Sequence, residues 1–89
     1  MRAIVSVIGR DRVGIIAEIC AILAEYGINI LDISQTILNG SFTMVMLVDA
    51  AGSTVPFVRL SEILRTAGEE RSLEVRIQRE EIFDAMHRI

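Results

Sequence analysis

Apolar side chains alternate with polar ones along some stretches of the chain and recur at helical spacing along others. Residues 2–8 are rich in β-branched side chains and end at Gly9, so they read as a strand. The connection Gly9-Arg10-Asp11-Arg12-Val13-Gly14 leads into a run where Ile16, Ile19, Cys20, Leu23 and Tyr26 share one helical stripe, and Gly27 supplies its stop. At about 100° per residue, Ile15 and Ile22 fall about 20° apart on the edge of that stripe, which makes the apolar arc wider than one sheet contact requires. Residues 28–38 read as a second strand, and the apolar phase slips from Ile28 and Ile30 to Leu31 and Ile33, the mark of a bulge. Asn39-Gly40 is a strong hairpin signal, since both residues tolerate positive φ, and residues 41–49 supply the antiparallel partner. Ser53, Thr54 and Pro56 predict a helix entry with a hydroxyl cap; Phe57, Leu60, Ile63, Leu64 and Ala67 form its stripe and Gly68 its expected end. Leu73, Val75 and Ile77 then alternate with Glu74, Arg76 and Gln78, a strand with one dry face and one wet face.

The order β-α-β-β-α-β, joined by right-handed crossovers, predicts an α+β fold: a ferredoxin-like sandwich with a four-stranded antiparallel sheet and two helices on one face. Residues 1–79 make up this expected domain. Its other face is apolar too. Phe42, Met44, Met46 and Val48 point one way from the third strand, while Val45 and Leu47 point the other, and Ile4 and Ile8 do the same on the first strand. Something should cover that second face, so a homo-oligomer is expected, with Ile15, Ile22, Val45 and Leu47 as interface candidates. Residues 80–89 extend the domain, with Ile82, Phe83, Met86 and Ile89 at the spacing of a short amphipathic helix. About ten residues do not hold a helix alone in water, so this segment should dock on its own sheet or on a neighbour.

Composition narrows the partners. Of the 89 residues 52% are hydrophobic but only four are aromatic, so the core is aliphatic. Twelve acidic against nine basic side chains give a net charge of −3, no footprint for nucleic acid or an anionic membrane surface. No stretch approaches the ~20 apolar residues of a membrane span, and the N-terminus lacks a signal peptide's apolar run. A single cysteine and a single histidine exclude an intrachain disulfide framework and a Cys/His zinc cluster, so neither a metal nor a cofactor is expected. One thiol fits a reducing compartment, and a cytoplasmic location is expected.

Catalytic constellations are nearly empty. There is no Gly-x-Ser-x-Gly, no His-Glu-x-x-His and no glycine-rich phosphate loop, and with no lysine neither Schiff-base chemistry nor a P-loop is available. Cys20 sits on the apolar stripe of the first helix, where core packing explains it. An acylphosphatase-like enzyme would need its arginine in a glycine-rich loop after the first strand; Arg10 and Arg12 are there but the glycines are not. What remains is the first connection. Its backbone amides at a helix start favour a carboxylate, Gly14 allows close approach, and Asp11 can either accept an ammonium or cap the helix. Asn29, after the first helix's stop, is a two-way hydrogen-bonding amide at the mouth of the second strand or simply a turn-forming residue.

Asp11-Arg12-Val13-Gly14-Ile15-Ile16 followed by Leu23-Ala24-Glu25-Tyr26-Gly27-Ile28-Asn29-Ile30 resembles the signature of ACT domains, the small amino-acid-sensing regulatory modules, over residues 2–79. The stretches 29–36 and 78–89 resemble an uncharacterised family of stand-alone bacterial and archaeal ACT proteins. The resemblance implies a dimer with an amino acid held at the interface by the first loop of one subunit, which makes Asp11, Arg12, Val13, Gly14, Asn29 and Ile30 the candidate ligand-binding residues. In serine-sensing ACT domains the contacts fall at the positions of Asp11 and Asn29. A histidine those domains use is replaced here by Gly9, and an asparagine by Asp11, so serine itself is not implied. ACT domains usually sit beside an enzyme or DNA-binding domain; this chain would act in trans on an unidentified protein partner. The alternatives are a ligand-free adaptor oligomer and a small acylphosphatase-like enzyme.

Overall fold

A computed structural model describes residues 1–81; the helical extension expected over 80–89 lies outside the described residues except for its first two. The elements follow the expected order: β1 (Arg2–Arg10), α1 (Ile15–Glu25), β2 (Asn29–Leu38), β3 (Ser41–Asp49), α2 (Phe57–Glu70) and β4 (Leu73–Arg79). The four strands form one antiparallel sheet in the order β2-β3-β1-β4, the ferredoxin-like arrangement. The core lies between the sheet's inner face and the helices. Ala3, Val5 and Val7 of β1, Phe42, Met44, Met46 and Val48 of β3, and Val75 and Ile77 of β4 meet Ile15, Ile19 and Leu23 of α1 and Leu60 and Leu64 of α2. Each such fully buried aliphatic side chain stabilises the fold by roughly 1.5–3 kcal/mol against exposure.

Two local signals hold in detail. Asn39 and Gly40 take φ of 52° and 78°, the paired positive values of a type I′ hairpin turn. Leu31 is the extra residue of a β-bulge, because Ile30 faces Val48 while Asp32 faces Leu47. After the bulge Ile33, Gln35 and Ile37 lie opposite Met46, Met44 and Phe42, on the inner face of the sheet.

Three expectations need correction. The buried stripe of α1 is Ile15, Ile19 and Leu23, with Ile15 only 2% exposed; Ile16 is the solvent-facing neighbour at 36%. The packed direction is therefore rotated by one residue, and Ile15 belongs to the core of a single chain, not to an outer interface. Secondly, α2 does not end at Gly68 but continues to Glu70. Gly68 is buried where α2 crosses β4, and a Cβ there would lie 2.7 Å from the Leu73 carbonyl oxygen and 2.8 Å from Val75 Cγ2. It is a spacing residue. Thirdly, Pro56 in extended conformation precedes α2, with no side-chain cap; the Ser53 hydroxyl instead donates to the Val55 carbonyl at 2.7 Å.

Candidate functional site

The first connection is pinned at both ends. The Asp11 amide donates to the Gly40 carbonyl at 2.8 Å, tying the loop to the tip of the β2–β3 hairpin. Gly14 enters α1 with φ of 94°, a left-handed conformation that a Cβ would strain, and its carbonyl accepts from the Glu18 amide at 2.9 Å. Asp11 is not the helix cap: Gly14 takes the N-cap position and no side chain caps the first turn. The positive end of α1, with Glu18 as the acid of its first turn but no side-chain cap on its amides, opens onto a groove of ≈ 440 Å³ lined by Asp11, Arg12, Gly14 and Ile16 on one side and Gln35, Ile37 and Phe42 on the other. Gln35 escaped the reading of the sequence. Only the bulge at Leu31 turns it to this face, and the slip in apolar phase was the signal that could have found it.

Arg12 serves another purpose. Its Nη1 lies 2.7 Å from Glu18 Oε2 and also donates to the Val13 carbonyl at 3.2 Å. The second Glu18 oxygen accepts from Arg71 Nε at 3.0 Å, and Arg71 Nη1 donates to the Ala67 carbonyl. One carboxylate thus links the loop, α1 and the end of α2. The Arg12 hydrogen bond, with a smaller contribution from Arg71, holds the Glu18 carboxyl below its ordinary range, and Glu18 in turn raises Arg12. Burial on the flank of the core pushes the Cys20 thiol up.

The remaining candidates are dispersed. Val13 is 98% exposed at the loop's apex. Asn29 is exposed opposite Asp49, while Asp11 is tied to the hairpin at the other end of β3, so one chain does not bring them together. Ile30 is half-buried on the inner face opposite Val48. Val45 and Leu47 are half-buried on the outer face, and Ile22 is half-buried in the cleft between the two helices. Gly9 lies against Leu73, whose Cδ2 a side chain at that position would strike. No group of three metal-ligating side chains, and no helix long and apolar enough to cross a membrane, occurs among the described residues.

Comparison with known proteins matches residues 2–78 to the ACT domain family. The chain is an ACT domain. It is 53% identical over 88 residues to a UPF0237 protein of Methanocaldococcus jannaschii, covering 99% of this chain and 98% of that one. A UPF0237 protein of Listeria innocua is 49% identical over 89 residues, the full length of both. Among solved structures, an ACT domain protein from Streptococcus pneumoniae superposes with a TM-score of 0.82 at 38% identity over 98% of each chain. These relatives are stand-alone ACT proteins of bacteria and archaea. ACT domains are in general small-molecule regulatory modules, and they commonly oligomerise.

Proposed function

We propose that this ACT domain binds a free amino acid, or a close carboxylate analogue, at the boundary between two copies of itself, and acts in trans on a separate protein. The observation that carries the reading is the uncapped start of α1, open to a groove shared with the edge strand β2. Backbone amides of the first turn receive the ligand carboxylate, and Asp11 accepts its ammonium. Arg12, already engaged by Glu18, is left out of the carboxylate contact.

The second copy comes from the β2 edge. Ile33 and Ile37 are 41% and 54% exposed there although they lie on the inner face. An antiparallel pair of β2 strands centred on Gln35 sets Ile33 opposite Ile37 of the partner, twice, and closes both unpaired backbone edges. The same register carries Asn29 past the end of the partner's β2, to the hairpin where Gly40 holds Asp11. A site split between two chains in one is thereby made whole across the dyad. Calorimetry with each of the twenty amino acids on the folded oligomer tests the proposal. Saturable binding by at least one supports it; no binding by any leaves the adaptor reading in its place.

A further inference from the structure

Among the described residues the sheet has a second unpaired edge, β4, and it differs from β2 in kind. A groove of ≈ 520 Å³ runs along it, walled by the β4 residues on one side and by Arg65 and Glu69 of α2 on the other. Its outer face carries Glu74 and Arg76, exposed and 2.6 Å apart. We propose that this edge is an interface with a second copy of the chain, formed by antiparallel β4 strands centred on Val75.

The argument is charge and register. In an antiparallel pair that keeps both helical layers on one side, residues facing each other must share a face, so Val75 meets Val75 of the partner across the dyad. Glu74 then stands opposite the partner's Arg76, and Arg76 opposite the partner's Glu74, two opposite-charge pairs on the outer face. On the inner face Leu73 meets the partner's Ile77. No other like-faced register within β4 centres two such pairs: centring on Arg76 would set like charges together. The helical layer agrees independently. Gly68 lies against Val75, and Arg65 and Glu69, one helical turn apart, wall the groove on that side, so a dyad through Val75 brings each toward the partner's opposite charge. Neither side chain has an ion pair among the described residues. Edges shielded only against aggregation carry charge without needing such self-complementarity.

The test uses the full chain with single charge reversals, E74R and R76E, read by sedimentation together with far-ultraviolet circular dichroism. Each variant alone presents one sign of charge along the edge and should lose the contact, with the sedimenting mass falling below the parent's while the spectrum stays parental. Mixed in equal amounts the two should regain the parental mass, because an all-arginine edge then faces an all-glutamate one. The double reversal E74R/R76E should also match the parent. Variants that sediment as the parent does, or folded variants that lose mass but do not recover it on mixing, would overturn the proposal. The readout is independent of amino-acid binding, so it stands or falls apart from the ligand reading above.

Discussion

Gly68 carries a meaning that sequence alone assigns wrongly. A glycine after a helical stripe reads as a stop, yet this one is a gap through which β4 passes beneath α2. Helix propensity taken alone favours Gly68→Ala by about 1 kcal/mol. The approach of the Leu73 carbonyl reverses that sign, since overpacking of this kind costs about 1–3 kcal/mol. We expect Gly68→Ala to melt several degrees below the parent, on a scale of about 4–8 °C per kcal/mol for a domain this size; an unchanged or higher midpoint would mean the strand moves aside freely. Glu18 makes a second, pH-dependent case. Its carboxyl is held below the ordinary range in the folded chain, so it contributes stability above that range and loses the contribution as pH falls through its depressed value. Melting curves of the parent and Glu18→Gln, followed from about pH 7 to about pH 2, should differ most at neutral pH and converge in acid. A constant gap would assign the effect to packing instead of charge.

The strands were legible in the sequence because their signals are local. The Asn39-Gly40 turn fixes the hairpin register, and the phase slip at Leu31 announces the bulge. The face of α1 was not, because Ile15 and Ile16 are chemically identical and only the direction from which the rest of the core approaches decides between them. The loop from Asp11 to Gly14 was readable from its residue types, whereas the Arg12–Glu18–Arg71 linkage was not: its partners lie 6 and 53 residues apart and meet only once α2 is docked. That Asp11 and Asn29 sit at opposite ends of one chain's sheet follows from the expected fold itself, since β1 and β2 run parallel. The same distinction between buried and edge positions predicts different fates for two charge insertions. Ile37→Arg, at a 54% exposed position on β2, should leave a folded protein of lower mass. Ile15→Glu places an unpaired carboxylate where the parent is 2% exposed, and should abolish the cooperative melt itself. Sedimentation and circular dichroism on both variants separate the two; an unfolded Ile37→Arg would place that side chain inside the monomer's own core.

Across the whole molecule the two sheet edges differ, with apolar β2 beside the proposed ligand groove and charged β4 on the far side. Were both proposed contacts made, each copy would join one neighbour through β2 and another through β4, and only the β2 contact completes the proposed site. That asymmetry gives a decisive experiment. Each proposed site draws Asp11 from one chain and Asn29 from the other. Asp11→Ala removes the partner of a charged group and should weaken amino-acid binding more than Asn29→Ala, which removes a neutral one. Both homodimers are damaged at every site. In a mixed dimer, however, one site holds both substitutions and the other holds neither. Statistical exchange makes half of the dimers mixed, so about a quarter of all sites should recover parental affinity when the two variants are combined. Calorimetry on the mixture would read this as a tight-binding fraction absent from either variant alone. If Asp11 and Asn29 acted within one chain, or Asn29 had no part in the site, mixing would produce no site better than those already present. The recovered fraction therefore tests, in one titration, both the ligand contacts and the pairing of β2 that brings them together.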